Sequence, residues 1–325
     1  MKLPRRTFLH LATSAAALPF TPRLARAQIY PSRPVRIMVG AAAGGGFDIL
    51  ARLTGQWLSE RLGQPFVIEN RPGAGTNIAT EAVVRAPADG YTLLMVGPDA
   101  TINATLYDKL TFNFIRDIAP VASITRQPNV IVANPSFHVK TIPELIAYAK
   151  VHPGKINMAS PGIGSGGHMT GELFKMMTGV ELVHVPYRGG APAITDLLAG
   201  QVQLFFGGLP VAIEHIKASR LRALAVTTVM RSQALPETPT VGDFLPGYEA
   251  SAVFGVGAPA NTPTEFIDTL NREINAACAD RGFKARLVDL GGTVLAGSPA
   301  DFGRYIADET EKWAKVIKFA NIKAM

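Results

Sequence analysis

Two glycine-rich loops hold the residues of this chain that could bind an anion. The first, Ala43–Asp48, follows an apolar segment at Val35–Val39 and precedes a helical pattern over Ile49–Leu62. A strand, a glycine turn and a helix in this order place backbone N–H groups at a helix N-terminus, where they and the helix dipole favour an anion. The second loop, Ser160–His168, has the same setting. We expect the two loops to form the halves of one anion site.

Neither loop has the spacing of a nucleotide-binding motif. The first lacks both G-x-G-x-x-G and Gly-Lys-Ser/Thr, which argues against dinucleotides and P-loop phosphates. Both loops also lack Lys and Arg, so the charge of a ligand must be met by backbone N–H groups, by the hydroxyls of Ser160 and Ser165, and by two helix dipoles of about 0.3–1 kcal/mol each. This chemistry suits a carboxylate that is held and then released.

Several side chains near these loops have two interpretations. Asp48 at the start of the first helix is either a simple N-cap or a ligand contact. His168 is either a buried histidine with one hydrogen bond or a site residue. Tyr187 and Arg188 follow a predicted strand end, so each could face a crevice or point to solvent.

Enzymatic and metal sites have little support in the sequence. G-x-S-x-G is absent around Ser160 and Ser165, and the single cysteine, Cys278, lies on an apolar helical stretch. The histidines show neither H-x-H nor H-E-x-x-H spacing, which argues against zinc. We therefore expect no catalytic residue, no metal and no cofactor. A periplasmic hydrolase remains the alternative from another class.

The first 27 residues have the features of an export signal. A basic start is followed by the apolar stretch Phe8–Phe20 and by Ala25–Ala27, a small-x-small cleavage site before Gln28. Arg5–Leu9 resembles the twin-arginine motif, and an ordinary secretory signal is the alternative. The formal net charge of +7 falls to +2 without this leader, because 27 basic residues then face 25 acidic ones. Nucleic acid is therefore not an expected partner.

Alternating strand and helix patterns predict an α/β fold. An extended stretch over residues 121–133, interrupted near Gln127-Pro128, is expected to cross into a second lobe. We assign residues 28–128 with 228–325 to a discontinuous first lobe and 129–227 to an inserted second lobe. Two crossings of this kind are typical of a hinged fold that closes on a ligand. Capping residues Thr141, Thr262 and Ser298 are expected to begin three helices.

Six segments along the mature chain resemble the Bug family of periplasmic receptors for tripartite tricarboxylate transporters. They are Ala43–Asp48, Glu69–Gly75, Asp89–Leu94, Ala159–Gly162, His184–Gly189 and Ala223–Thr227. The resemblance implies a type II periplasmic binding protein fold, with two hinged lobes that each hold a mainly parallel sheet flanked by helices. It also implies a small carboxylate ligand and a two-subunit inner-membrane permease as partners. We expect a monomer. A receptor of the same fold that reports to a signalling sensor is the alternative.

The family resemblance also implies where the ligand lies. The ligand carboxylate is expected between the two loops, held by backbone amides and water. The implied residues are Ala43, Gly44, Gly45, Gly46, Phe47, Asp48, Asn77 and Thr101 in the first lobe, and Ser160, Gly164, Ser165, His168, Tyr187 and Gly207 in the second. This chain departs from the family at Gly40-Ala41, usually Pro-Phe, and at Gly207, often Asp. The missing Asp favours di- or tricarboxylates or aromatic acids over amino acids.

Overall fold

The structure, a computed structural model, describes residues 30–324, so the predicted leader lies outside the described residues. The strands are β1 (Val35–Val39), β2 (Phe66–Asn70), β3 (Thr92–Val96), β4 (Ile118–Ala133), β5 (Asn157–Ser160), β6 (Val183–Pro186), β7 (Leu204–Gly208), β8 (Arg222–Val226), β9 (Ser251–Pro259) and β10 (Thr293–Val294). The helices are α1 (Gly46–Leu62), α2 (Asn77–Val84), α3 (Asp99–Leu106), α4 (Phe114–Asp117), α5 (Ile142–Val151), α6 (Gly166–Thr178), α7 (Gly190–Leu198), α8 (Leu209–Lys217), α9 (Thr264–Ala279), α10 (Arg281–Asp289) and α11 (Pro299–Ala320).

The long strand β4 joins two groups of strands. The order is β2-β1-β3-β9-β4-β7-β5-β6, with β8 and β10 also paired to β4. Parallel pairs link β1 to β2 and β3, and link β5 to β6 and β7. The pairs that involve β4 and β9 are antiparallel, so parallel and antiparallel pairs are mixed in both groups.

This pairing makes the carboxyl ends of the two parallel groups face each other. In the first group, β3 is antiparallel to β9 and β9 is antiparallel to β4, so β1 and β3 run in the direction of β4. In the second group, β7 is antiparallel to β4, so β5 and β7 run back toward the first group. We call the carboxyl ends of β1 and β3 the first edge, and those of β5 and β7 the second edge. The loops at these edges are where ligands of open α/β sheets bind.

The predicted interruption near Gln127-Pro128 is wrong. Gln127 pairs with Ala252 and Pro128 with Ser251, so β4 is continuous while its partner changes from β9 to β7 at Asn129. A proline is tolerated there because its missing N–H falls where the strand exchanges partners. The lobe boundaries of 28–128 with 228–325 and of 129–227 remain predictions.

Apolar side chains from both parts of the chain share one core cluster. The second group of strands and the end of β4 contribute Phe206 and Ile131, which are fully buried, and α3 contributes Ile102 and Leu106. The last helix, α11, adds Trp313 and other apolar residues to the same cluster. Its C-terminal half therefore packs against the sequence block predicted to be inserted.

Two of the three predicted helix caps are confirmed. The Thr141 hydroxyl accepts a hydrogen bond from the N–H of Glu144, and Ser298 forms a reciprocal capping box with Asp301. The predicted cap at Thr262 is wrong, because its hydroxyl instead donates to the Pro259 carbonyl at 2.7 Å and α9 begins only at Thr264.

Candidate ligand-binding site

The first glycine loop is an exposed turn at the first edge. Residues 43–46 are exposed, and α1 begins at Gly46 after Gly45 as the N-cap, with no side chain bonded to the helix N-terminus at that cap. The first N–H groups of a helix have no carbonyl partner within the helix. The loop therefore presents N–H groups at a point where the helix dipole is positive.

Asp48 holds this loop in place, and its interpretation as a simple N-cap is wrong. Its Oδ2 accepts hydrogen bonds from the N–H of Gly44 at 2.9 Å and from Nε of Arg52 at 2.8 Å. Asn70 Nδ2 donates to Oδ1 at 3.0 Å and also to the Ala41 carbonyl at 3.0 Å. The hydrogen bond from Arg52 is the main reason that the pKa of Asp48 falls to about 2. This carboxylate is ionised, and both of its oxygens accept hydrogen bonds from other residues of the protein.

Asn77 brings a buried amide to the first edge. It is the first residue of α2 and is 8% exposed. Its Oδ1 accepts from Nδ2 of Asn103 at 3.0 Å, and Asn103 also donates to the Gly75 carbonyl. Nδ2 of Asn77 has no hydrogen-bond partner among the described residues. A buried donor without a partner is costly, so a group that arrives from the cleft would gain this hydrogen bond.

The side chains of Thr101 and Phe47 are both occupied by contacts with other residues of the protein. Thr101 is 3% exposed, and its hydroxyl donates to the Pro98 carbonyl at 2.8 Å. The Phe47 ring packs edge-on against Phe254 at 5.3 Å between centroids and lies where a Cβ on Gly97 would stand. Both side chains are therefore engaged within the protein.

The second glycine loop begins α6 at the second edge. The Ser165 hydroxyl caps the helix by accepting from the N–H of His168 at 3.2 Å, and it donates to the Gly162 carbonyl at 2.7 Å. Gly164 has φ +74°, and a Cβ on this residue would overlap the side chain of Leu106. The loop therefore touches α3, which begins at the first edge.

Behind this loop, His168 and His184 stack face to face. Their ring centroids are 3.7 Å apart and the planes differ by 8°. The N–H of Gly164 donates to Nδ1 of His168 at 3.1 Å, so this nitrogen is the acceptor in the neutral ring. Ser160 Oγ lies 2.6 Å from Nε2 of His184. The structure supports the buried interpretation of His168, which is 4% exposed and whose ring accepts the one hydrogen bond from Gly164.

The charges around the histidine pair are balanced within α6. Glu172 is 3% exposed, and its Oε1 lies 2.9 Å from Lys175 Nζ and 3.6 Å from Nε2 of His168. Burial would raise the pKa of Glu172, but the hydrogen bonds from His168 and Lys175 outweigh it and the pKa falls. Burial is also the main reason that the pKa of His184 falls to about 4, so this ring is neutral at pH 7.

The remaining predicted residues of the second edge are largely occupied within the protein. The Tyr187 hydroxyl donates to Asp196 at 2.7 Å, and its backbone N–H donates to the Ser160 carbonyl at 3.0 Å. Gly207 lies in β7, close under the start of α6, where a Cβ on Gly167 would be 3.0 Å from the Cα of Gly207. Arg188 is exposed.

The sequence predictions of site residues missed three residues at these edges, namely Asp99, Asn103 and Glu172. Asp99 is the first residue of α3 and is half-buried; burial raises its pKa to about 6. The signal that could have found it is an acidic residue at the start of a helix that directly follows a buried strand. Within residues 30–324, no cluster of side chains suits a metal ion, and no helix is long and apolar enough to cross a bilayer.

Comparison with known proteins identifies the family. The family model for the tripartite tricarboxylate transporter family receptor matches residues 50–322. Protein BugT of Bordetella pertussis is 35% identical over 318 residues, which cover 97% of this chain and 96% of BugT.

Solved structures agree with this match. R. palustris Rpa4515 with adipate is 39% identical with a TM-score of 0.80, and the match covers 91% of this chain and 100% of that one. MatC (Rpa3494) from Rhodopseudomonas palustris, with bound malate, is 30% identical with a TM-score of 0.76, covering 89% and 100%. The expected α/β fold of the type II periplasmic binding protein class is thereby confirmed. The chain belongs to the tripartite tricarboxylate transporter receptor family, a family of solute-binding receptors.

Proposed function

We propose that this protein is a periplasmic receptor that captures a small organic carboxylate between the first and second edges. It then delivers the ligand to a two-subunit inner-membrane permease of the tripartite tricarboxylate type. The family description supports the transport role, and the adipate and malate bound to two relatives support a dicarboxylate as the ligand class.

The observation that carries this proposal is the buried amide of Asn77. Its Nδ2 has no partner among residues 30–324, and it lies at the same edge as the exposed N–H groups of the first glycine loop. Backbone N–H groups and one amide donor bind a carboxylate without a cationic side chain. Because no Lys or Arg lies in either loop, the ligand is held by moderate forces and can be released.

We assign contact with the ligand to the loop Ala43–Gly46, to Asn77, and to the start of α6 around Gly164 and Ser165. Asp48 and His168 position the loops through Gly44 and Gly164, at 2.9 and 3.1 Å. We assign Phe47, Thr101, Ser160, Tyr187 and Gly207 to the support behind these loops and not to direct contact with the ligand.

The protein acts as a receptor and not as an enzyme. The Ser160–His184 pair has the short distance of a nucleophile and its base, but Ser160 is 0% exposed and therefore out of reach of a substrate. The export leader at residues 1–27 is removed after Ala27, and the twin-arginine route carries the chain to the periplasm.

A ligand screen on the exported protein tests this function. The full chain is expressed with its own leader, recovered from the periplasmic fraction and heated with a panel of mono-, di- and tricarboxylates. A ligand at 100 times its Kd adds about 2.7 kcal/mol to the free energy of unfolding, which raises the midpoint by several degrees. Mass spectrometry of the same sample checks for an N-terminus at Gln28. No shift with any carboxylate would contradict the proposed function.

A further inference from the structure

Asp99 places an unpaired carboxylate at the first edge. It begins α3 three residues after β3 ends, beside the first glycine loop, which follows the neighbouring parallel strand β1. It is half-buried, and burial raises its pKa to about 6. Within residues 30–324, no charged partner acts on its carboxylate, and its own backbone N–H is the one hydrogen-bond donor that does. A half-buried carboxylate without a cation is costly to keep unless another group uses it.

The position of Asn103 shows which way this part of α3 faces. Residues four apart lie on the same face of a helix, so Asp99 shares its face with Asn103. The Asn103 amide reaches the Gly75 carbonyl and Oδ1 of Asn77 at the start of α2. Asp99 lies one turn nearer the N-terminus of α3, where the helix begins at the first edge. The first edge therefore offers a donor, Nδ2 of Asn77, and an acceptor, the carboxylate of Asp99.

These two groups make opposite demands on a ligand. A ligand carboxylate suits the N–H groups of the glycine loop and the Asn77 amide, but it is repelled by the charge of Asp99. No cationic side chain lies in the first glycine loop to offset that repulsion. The Asp99 carboxylate instead accepts a hydrogen bond, and a ligand can supply one from a hydroxyl or an ammonium group.

We propose that Asp99 selects carboxylates that carry a hydroxyl or ammonium group close to the bound carboxylate over the unsubstituted acids. This inference rests on the proposed receptor function and names the ligand class of the same site. The absence of an Asp at Gly207 favoured ligands without an ammonium group, and this inference reverses that preference. The carboxylate that accepts a hydrogen bond from the ligand comes from α3 and not from the end of β7. If Asp99 only interacted with the dipole of α3, its replacement would leave the preference among ligands unchanged.

Matched ligands with and without the donor test this inference. Calorimetry measures the Kd of the exported protein for succinate, L-malate and L-aspartate, and for adipate, 2-hydroxyadipate and L-2-aminoadipate. We expect the substituted member of the better-fitting series to bind at least tenfold more tightly than its parent. In Asp99→Ala this ratio should fall to about one, and in Asp99→Asn the ammonium compound should lose more affinity than the hydroxyl compound.

Controls separate the possible failures. Asp108→Ala removes an exposed carboxylate beyond the other end of α3 and should leave every ratio unchanged. Thermal midpoints without ligand show that each variant is folded. Equal or tighter binding of the unsubstituted acids, or a ratio that survives in Asp99→Ala, would overturn the role of Asp99 while the receptor function stands. If no carboxylate binds, the receptor function fails and this inference fails with it.

Discussion

The carboxylate of Asp48 fixes the backbone of Gly44 from inside the first turn of α1, with 2.9 Å between Oδ2 and the amide nitrogen. Asp48 is 2% exposed and is itself held by Arg52 and Asn70. The flexible glycine loop is thus prepared for its ligand before the ligand arrives. Such preorganisation reduces the entropy lost on binding.

Asp48→Asn is expected to weaken both folding and ligand binding. The variant keeps the size of the side chain but loses the charge that strengthens the hydrogen bonds from Arg52 and Gly44, at a cost of about 1–3 kcal/mol in the free energy of unfolding. Urea unfolding measures this cost, and calorimetry should show weaker binding of the best carboxylate.

The contribution of Asp48 to stability also depends on pH. The pKa of Asp48 is about 2 when folded, below the usual value of 3.8, so this contribution is complete above pH 4 and is lost as the pH falls toward 2.

Glu60→Gln is the control for Asp48→Asn. Glu60 is an exposed carboxylate on the same helix, so Glu60→Gln should change the free energy of unfolding by less than about 0.5 kcal/mol. Equal effects of the two substitutions would show that Asp48 has no special role in the loop.

Asn77→Ala is expected to reduce ligand affinity about tenfold or more. The free Nδ2 donor would be lost, and a hydrogen bond to a charged ligand group contributes about 1.5–3 kcal/mol. The Oδ1 partner of Asn103 is also lost, so the stability of the unliganded variant is measured separately. Gln56→Ala, which removes an exposed amide on α1, should leave the affinity unchanged. Wild-type affinity in Asn77→Ala would remove this amide from the site.

The glycine loops and the alternation of strands and helices along the chain could be predicted because their signals are local. Glycines between an apolar run and a helical pattern mark a turn wherever they occur, and Ser298 with Asp301 forms a cap within four residues. The Thr262 cap shows the limit of such signals, since its hydroxyl finds the Pro259 carbonyl instead.

The roles of the polar side chains could not be predicted, because they depend on partners far away along the chain. Asp48 meets Asn70 across 22 residues, and Ser160 meets His184 across 24. The half-buried position of Asp99 likewise depends on how α3 packs against α2 and the distant α11. Family resemblance indicates which positions of this chain lie near the ligand. It does not indicate which side chains at those positions are already bonded to other residues of the protein.

Gly164→Ala is expected to destabilise the protein more than Gly154→Ala. Both glycines have positive φ, +74° and +67°, so alanine costs about 1–2 kcal/mol of backbone strain at each. A Cβ at Gly154 meets no atom within 4 Å, whereas one at Gly164 overlaps Leu106. Thermal unfolding of the two variants isolates this contact, and carboxylate affinity should fall in Gly164→Ala alone. Equal losses of stability would mean that the loop moves away from α3 without cost.

Asp99→Asn is expected to stabilise the unliganded protein at pH 7. The pKa of Asp99 is about 6 in the fold against 3.8 when unfolded, so the folded chain holds the extra proton between these values. Stability therefore declines as the pH rises from 4 to 6, by about 1–2 kcal/mol after allowance for partial exposure. Chemical unfolding at pH 4, 5, 6 and 7 measures this decline. The neutral variant should lack it, and the same decline in Asp99→Asn would show that other groups cause it.

His184 should make the protein less stable in acid. Its pKa is about 4 in the fold against 6.5 when unfolded, chiefly because the ring is buried beside His168. The unfolded chain therefore binds the extra proton first, and stability is complete above pH 6.5 and falls as the pH drops toward 4. The expected loss is about 1–2 kcal/mol, because partial exposure screens the charge. His184→Gln should flatten this part of the pH profile measured by urea unfolding. His152→Gln, at an exposed histidine, should leave it unchanged. If His184→Gln kept the full acid sensitivity, the stacked pair at the second edge would not be its source.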